Sequence, residues 1–451
     1  MAVPSEFIPG ASEILWEIES THLDEAQFAF EMWEDALDSP DFTLGDLAAG
    51  PEQRLLAHVD ALAIGGPAVA QQLLVPATRD PNGSTERVAV AVLSCQDLAP
   101  TLEALGIAEA QDQVLGLVRG LELRDNDDLD AALVRVLRSD PGRARAGLLK
   151  LLARRRVAVQ PWGELGNLGN SEDEQTALAV ARLARFSPDP RALSIIGALA
   201  QHEDASVRDA ALQTALLRGV TGAWESSVYW AFTDHESAAR RQALVRVACL
   251  GDDAARARVV ALVEDPTHRA DALWAAGFTG SLAAVHQCMP LLEDDEWGPL
   301  AAEVVCAIAG LPTDDEQFWR DPAPTDDPEI GLPPLQAENL DMDLTLSPEA
   351  LLPVPDPQAI ADWWRGRETQ FDPSLRYLGG RVLDAAVLEQ ALHHAPLRRR
   401  HALAFELEAR SNSTLHVATR ALACVQHQQL ARLAQHPDFA GLDFQRGRPA
   451  R

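Results

Sequence analysis

Two pairs of histidine and glutamate are the residues of this chain that come nearest to a metal site. His202-Glu203 and His235-Glu236 lie 33 residues apart. Imidazole nitrogen and carboxylate oxygen together suit iron, and successive helix pairs could bring such ligands close to each other. Both pairs lie among turn-forming polar residues, where a solvated side chain is the ordinary outcome. We therefore expect neither a metal nor any other cofactor at these positions.

Other catalytic patterns are missing from the sequence. Gly163, Gly166 and Gly169 follow no strand pattern and do not match the dinucleotide fingerprint. The chain contains no Gly-x-Ser-x-Gly nucleophile turn, no phosphate-binding loop and no kinase motif set. The C-terminal histidines form no HExxH zinc motif: His393, His394, His401, His416, His427 and His436. The sequence thus predicts that the protein is not an enzyme, and it nominates no catalytic residue.

The elements that would position such side chains form a repeat. The motif Arg-x-x-Ala-Leu begins at Arg208, Arg240 and Arg269, at intervals of 32 and 29 residues. A period near 30 residues is typical of solenoids built from helix pairs, because one pair cannot bury its own apolar stripe whereas stacked pairs can. Apolar residues elsewhere also follow helical spacing, and no stretch alternates with period two. The sequence predicts an all-α fold.

These repeats resemble the HEAT type, through the Val-Arg-x-x-Ala-Leu start of the second helix and the Asp-rich turn before it. In such repeats the recurring arginine usually packs its stem and pairs with an acidic group of the adjoining turn. Deoxyhypusine hydroxylase resembles this chain in fold class and holds two irons through four His-Glu pairs. Only two pairs occur here, and both precede the second helix of their repeat. The resemblance implies a HEAT-like α-solenoid without that enzyme's site.

Proline content divides the chain. Between Pro312 and Gln358 stand ten prolines and twelve acidic residues, with Arg320 as the single basic residue. Such a segment is either a solvated linker or an extended arm along the solenoid, and its leucines keep the second alternative open. We predict an N-terminal helical region, a repeat solenoid, an acidic Pro-rich linker or arm, a C-terminal helical cap and a flexible tail: 1–80, 81–311, 312–358, 359–436 and 437–451.

Aromatic and arginine side chains after the break are the candidate partner-binding residues: Trp363, Trp364, Arg365, Tyr377 and Arg381. These residue types dominate interface hot spots. The alternative is that the tryptophans cap the last repeat, because an open solenoid end needs covering.

Near the N-terminus, the spacing of apolar residues predicts a helix over residues 11–37. Its inward-facing residues are expected to be Ile14, Leu15, Ile18, Phe28, Phe30 and Trp33.

A more particular resemblance rests on three places. They are the segments 33–37, 42–47 and 54–62 taken together, the central repeats, and Pro355-Asp356-Pro357 with Trp363-Trp364 and 376–381. Together they resemble a proteobacterial family of HEAT-repeat proteins of unknown function. The resemblance implies a cytoplasmic solenoid protein with no known activity. Such families are often encoded beside type VI secretion genes, which would make the partner an effector or a tip component.

Charge restricts the partners. The chain has 68 acidic and 38 basic residues, a net charge of −30, and Lys150 is its single lysine. A field this negative repels phosphate backbones, and the densest basic clusters, 154–156 and 398–400, are only three residues long. We expect no nucleic acid and no membrane insertion, since no apolar run reaches about 20 residues. Five scattered cysteines without a CxxC spacing indicate buried thiols in a reducing cytoplasm.

These observations favour a non-enzymatic HEAT-repeat scaffold or adaptor for a protein partner with a basic surface. The rival from another class is a metal-dependent or lyase-like enzyme of the HEAT superfamily, which predicts bound iron or a ligand at the two His-Glu pairs. An immunity-like inhibitor that covers a toxin uses the same binding chemistry as the scaffold and remains open beside it.

Overall fold

The computed structural model describes residues 14–126, 128–139, 142–159, 166–169, 171, 173–233, 237–320 and 348–447. It is mostly helical, with 69% helix and 2% strand, which confirms the all-α prediction. The N-terminal helices are α1 Trp16–Ala36, α2 Leu44–Ala49, α3 Pro51–Ile64, α4 Gly66–Val69 and α5 Val75–Arg79, with a π-helical turn at Ala70–Leu74 before α5.

Helix α1 buries one stripe against α3 and α6 (Thr85–Ser94). Leu23, Phe30 and Trp33 lie on that stripe and are buried. Of the residues expected to face inward, Leu15, Ile18 and Phe28 are instead exposed. Ile18 and Phe28 point away from the stripe that the two neighbouring helices cover, because the helix advances about 100° per residue, and Leu15 precedes the helix.

The central helices follow in chain order: α7 Ala99–Ile107, α8 Gln111–Glu122, α9 Leu129–Arg138, α10 Arg145–Arg154, α11 Glu174–Leu183, α12 Pro190–Leu199, α13 Ala205–Leu217, α14 Ala223–Thr233, α15 Ser237–Leu250, α16 Asp253–Ala261, α17 Arg269–Ala276, α18 Leu282–Cys288 and α19 Gly298–Ala309. Short 3₁₀ turns lie at Gly142–Ala144, Ala184–Phe186, Leu262–Glu264 and Met289–Glu293. Asp173, Asp189, Asp204, Asp252 and Ser281 each cap a helix by accepting a backbone N–H, which explains why polar turns precede the helices.

One row of central helices packs in succession, each helix on the next. It consists of α6, α8, α10, α11, α13, α15, α17 and α19, and we call it the first row. The intervening helices pack against the first row, and pairs of them, α7 with α9 and α16 with α18, also touch each other. Small residues permit this close approach: Gly116 and Gly120 of α8 lie against Val88 and Val92 of α6.

The repeated arginines have structural roles. Arg240 donates to the Oδ2 of Asp271 over 2.7 Å, and both side chains are buried. Arg208 donates to the carbonyl oxygens of His202 and Glu203. Arg269 likewise donates to the carbonyls of Val263 and Glu264. The expected partner was an acidic side chain of the adjoining turn, whereas the acidic partner of Arg240 lies within helix α17. The carbonyls that Arg208 and Arg269 bind lie at helix and turn ends, which leave carbonyls without intrahelical partners.

The C-terminal part contains short strands as well as helices. The elements are a 3₁₀ turn at Glu316–Phe318, β1 Trp319–Arg320, a 3₁₀ turn at Pro348–Leu351, β2 Val354–Pro355, α20 Pro357–Arg365, a 3₁₀ turn at Glu368–Gln370, β3 Tyr377–Leu378, β4 Arg381–Val382, α21 Ala385–His394, α22 Leu397–Arg410 and α23 Ala423–Leu433. Strand β1 pairs antiparallel with β2, and β3 with β4. Of the predicted linker or arm, 321–347 lies outside the described residues.

Helix α22 packs on α13 and α15 of the first row, while α21 and α23 pack on α2 near the N-terminus. Residues 348–447, which we call the C-terminal unit, therefore contact both the N-terminal helices and the middle of the first row. The segment for which the sequence predicted a flexible tail is described to Gly447, and its Phe439 and Phe444 are buried. Those two rings join the same core cluster as α22 and α15.

The β3–β4 hairpin explains the Gly379-Gly380 pair. Both glycines have positive φ, 58° and 76°, which suits the tight turn between two short antiparallel strands. Their backbone N–H groups donate to Ala307 and Ile308 at the end of α19, at 2.8 and 2.9 Å. A Cβ on Gly380 would lie 2.7 Å from the Ala309 carbonyl oxygen. Glycine is thus required here by conformation and by the close approach to α19.

Among the described residues, no single helix is both long and apolar enough to cross a membrane. One helix pair, Leu44–Ile64 with Gly66–Arg79, passes that test by length and composition together, but it is bent by 103°.

Candidate functional site

The candidate partner-binding residues divide by exposure. Trp364 and Tyr377 are buried, with 4% and 5% of their surface exposed. Trp364 packs on His286 of α18 and on Phe371, and Phe371 packs edge-on against Tyr377. Helix α20 also lies on the 3₁₀ turn Met289–Glu293. In this conformation neither buried ring presents a surface to a partner.

The other three candidates are more accessible. Trp363 is half-buried and stacks beneath the Arg367 guanidinium, 5.0 Å from its ring centre. Arg365 is exposed and pairs with Asp362 of the same helix at 2.5 Å. Arg381 is exposed on β4 and bonds to Gln390. The five residues therefore do not form one continuous exposed patch.

The first His-Glu pair lies in a turn, as the sequence indicated. The Nδ1 of His202 accepts the backbone N–H of Asp204 at 3.0 Å, which occupies that nitrogen. His235 and Glu236 lie outside the described residues. Across the ranges that the structure describes, no three His, Cys, Asp or Glu side chains come together in a way that could hold a metal ion.

A different set of residues converges where first-row helices end. Arg124 follows α8 and donates to the Leu93 carbonyl at the end of α6, at 2.7 Å. Arg155 follows α10 and donates to the Arg124 carbonyl at 2.8 Å, while Arg218 follows α13 and donates to the Arg185 carbonyl at 3.0 Å. Each arginine thus satisfies a carbonyl that the preceding first-row helix leaves free, and positive charge suits that end of the helix dipole.

This stacking creates a cavity between the helix ends and the C-terminal unit. The cavity has a volume of about 580 Å³, and residues 416–422 and helix α23 form its opposite wall. We call it the arginine cavity, after the eight arginines that line it: Arg124, Arg154, Arg155, Arg156, Arg182, Arg185, Arg420 and Arg432. A basic cavity was not expected in a chain of net charge −30.

Five carboxylates line the cavity or pair with its arginines. Glu122 and Asp125 lie in the wall itself. Asp130 pairs with Arg155, Glu408 pairs with both Arg156 and Arg185, and Asp38 pairs with Arg420. Between these eight arginines and five carboxylates the positive charges are in excess by three, which makes the cavity a candidate anion site.

Arg182 carries much of this excess charge. Its side chain is exposed to the cavity and makes no hydrogen bond within the described part of the chain. Burial of the guanidinium by the surrounding protein, followed by repulsion from Arg154, lowers the pKa of Arg182. Asp209, a carboxylate that attracts it, is already bound by both nitrogens of the Arg246 fork.

Glu408 holds two of the cavity arginines in place. It lies on α22 and accepts from Arg156 at 2.5 Å and from Arg185 at 2.9 Å. Burial alone would raise the pKa of Glu408, but the hydrogen bond from His416 and the contacts of Arg185 outweigh burial, and they hold that pKa far below its ordinary value of 4.5. The carboxylate therefore stays ionised and ties the C-terminal unit to the first row.

Acid is expected to destabilise the protein through such carboxyls. The pKa values of Glu406 and Glu408 lie below 4.5 in the folded state, so the unfolded chain binds more protons as pH falls below about 4.5. The free energy of unfolding, measured by urea denaturation, should fall steeply from about pH 4.5 downward. Burial lowers the pKa of His401 below 6.5, which adds a smaller loss that begins below pH 6.5. A Glu408→Gln variant should show a shallower dependence, and an equal slope in both proteins would contradict this account.

The arginine cavity was not apparent from the sequence, because its arginines are spread over several elements and do not form one run of adjacent basic residues. The 154–156 cluster lies at a helix end, and five further arginines reach the same cavity from other elements. A signal was present: the arginines that end first-row helices bind carbonyls 31, 31 and 33 residues earlier, which is close to the spacing of the sequence motif.

Comparison with protein-family models finds no match to this chain, and comparison with curated proteins finds none either.

Proposed function

We propose that the protein is a non-enzymatic scaffold or adaptor that binds a protein partner with a basic surface. In this proposal the first row and the intervening helices form a HEAT-like α-solenoid. The protein would lie in the cytoplasm, and the solenoid would provide the surface that binds the partner. The succession of packed first-row helices at the repeat period supports that architecture. Binding is the commonest use of such extended repeat surfaces.

The observation that carries the proposal is the separation of charge between inside and outside. Among the described residues, eight arginines but only four carboxylates are buried: Arg208, Arg240, Arg246, Arg256, Arg376, Arg398, Arg399, Arg400, Glu52, Asp271, Glu406 and Glu408. Burial thus withdraws more positive than negative charge, so the exterior is even more acidic than the composition indicates. An acidic exterior attracts a partner of opposite charge over a distance and raises the rate of encounter.

One acidic cluster illustrates this exterior. Glu293, Asp294, Asp295 and Glu296 follow one another in the turn before α19, and all four are exposed. Within the described residues, none of the four side chains makes an ion pair, so their charges face solvent. If the resemblance to secretion-associated families holds, the partner would be an effector or a tip component; an inhibitor that covers a toxin would use the same surface chemistry.

The test begins with capture of the tagged full-length protein from its native host at low salt, with mass spectrometry and elemental analysis on the same eluate. A stoichiometric protein partner with a basic surface is the expected result. Bound metal at about one or two ions per chain without a partner would overturn the proposal in favour of a metal-dependent enzyme.

Salt dependence of the complex is a further expected result. The dissociation constant of the captured partner should rise at least tenfold between about 0.05 and 0.5 M salt, because the Debye length shrinks from about 14 Å to about 4 Å over that range. Titration by calorimetry or interferometry measures it. Replacing Glu293, Asp295 and Glu296 by their amides should slow association if the partner docks near that turn. A dissociation constant that salt does not change would contradict the electrostatic part of the proposal.

A further inference from the structure

We propose that the arginine cavity binds a small molecule that carries two phosphate groups. This inference concerns a site separate from the acidic exterior and does not rest on the protein partner proposed above. Within a chain of net charge −30, one half-open cavity is lined by eight arginines, three more than the carboxylates that line it or pair with those arginines.

The size of the cavity favours a small ligand. Its volume of about 580 Å³ falls within the range of about 300–1,000 Å³ that small-molecule sites occupy. A polynucleotide would have to cross the acidic exterior before reaching it, and that exterior repels a phosphate backbone. The cavity therefore suits a compact anion better than a long one.

The donor chemistry favours phosphate. Guanidinium groups present planar forks of N–H donors that match phosphate oxygens, and Arg182 and Arg432 offer such forks from facing walls, α11 and α23. Both side chains are exposed, and neither makes a hydrogen bond within the described residues. A phosphate monoester carries a charge of about −1.5 to −2 near pH 7, so two phosphates match the excess of three positive charges. Polar amides of Gln213, Gln428 and Gln429 complete the wall.

Four of the cavity arginines are already held in position by hydrogen bonds and ion pairs within the protein. Arg124 and Arg155 are fixed by helix-end carbonyls, and Arg156 and Arg185 by Glu408. The last two guanidinium groups each lie 5.1 Å from the centre of the Phe186 ring. Donors that are already positioned lose little conformational entropy on binding, which raises affinity. An anion would also relieve the repulsion among these charges.

Calorimetric titration of the full-length protein with inorganic pyrophosphate, without divalent metal and at constant ionic strength, tests the proposal. One pyrophosphate should bind per chain and raise the melting temperature. Arg182→Gln should weaken binding by about tenfold to a hundredfold, because it removes a charged hydrogen-bonding fork. Arg432→Gln should weaken it in the same direction, and it provides a second test on a separate helix in case Arg182→Gln lowers stability.

The matched control is Arg191→Gln, which removes the same charge from an exposed position on α12 outside the cavity. It should bind pyrophosphate as the unaltered protein does. The proposal is overturned if the unaltered protein does not bind pyrophosphate, or if all three variants bind it equally. Tighter binding of a single-stranded oligonucleotide than of pyrophosphate, weakened by Arg182→Gln, would also overturn it and assign the cavity to nucleic acid.

Discussion

Replacing Glu406 by alanine is expected to lower the free energy of unfolding by about 3–5 kcal/mol. Glu406 on α22 is 1% exposed and accepts from Arg376 at 2.7 Å and from Arg410 at 2.8 Å. Burial would raise the pKa of Glu406, but Arg376 and Arg410 outweigh it and lower that pKa, so the carboxylate is ionised. Its loss leaves two buried guanidinium groups without their counter-charge, which costs more than the ion pair itself contributes.

The effect should extend beyond one helix because Arg376 joins several parts of the chain. Besides Glu406, it donates to the carbonyl oxygens of Phe278, Thr279 and Phe444 at 2.9, 2.9 and 2.6 Å. The first row, the hairpin segment, α22 and the C-terminal residues therefore meet at one guanidinium. Disturbing its orientation weakens all of these contacts together.

Urea denaturation followed by circular dichroism measures the Glu406→Ala change. Glu368→Ala is the matched control, since it removes a carboxylate whose pair with His286 is about half exposed on both sides. The control should change stability by no more than about 0.5 kcal/mol. If Glu406→Ala behaved like Glu368→Ala, the buried cluster around Arg376 would not hold the C-terminal unit in place.

Truncating Trp364 to alanine is expected to cost about 3–5 kcal/mol and to lower the melting temperature by several degrees. The ring is 4% exposed and packs on His286 and Phe371, so its removal leaves a cavity between α18 and the C-terminal unit. Thermal unfolding measures the change. The same variant separates the two interpretations of the tryptophans, because a free hot spot could be truncated without loss of stability.

Two companion variants sharpen this result. Trp364→Phe should cost clearly less, because the Nε1 of Trp364 finds no hydrogen-bond partner among the described residues and most of the ring contact survives. Arg365→Ala, at the exposed neighbouring position, should change stability by no more than about 0.5 kcal/mol. A melting temperature that is unchanged in Trp364→Ala would contradict capping and leave the hot-spot interpretation standing.

Local pattern anticipated the helices well. The Val-Arg-x-x-Ala-Leu motif with its Asp-rich turn predicted the start of a helix near Arg208, and α13 begins at Ala205. The predicted C-terminal helical cap, 359–436, contains Ala385–His394, Leu397–Arg410 and Ala423–Leu433. Helical periodicity is set by residues three and four apart, so it can be read without the rest of the chain. Asp at the start of several helices adds a second local signal, the N-cap.

The pattern was less informative about which apolar side chains are covered. Leu15, Ile18 and Phe28 are as hydrophobic as Phe30 and Trp33, yet only the last two are buried. Apolar character makes a residue suitable for a core, but burial depends on whether another element packs on that face. No stretch of the sequence alternates with period two, and the short β3–β4 hairpin depends on its docking against α19, far away in sequence.

By itself, the sequence determined the helical class, the repeat period and the net charge of −30, because each depends on composition or on neighbours within a few turns. Only the tertiary structure decided where the charge lies. Arginines at the ends of α8, α10 and α11 and in the C-terminal unit meet in one cavity, while Arg398, Arg399 and Arg400 are buried. Charges separated by whole repeats become neighbours only after the helices stack, since stacking converts a spacing of about 31 residues into adjacency.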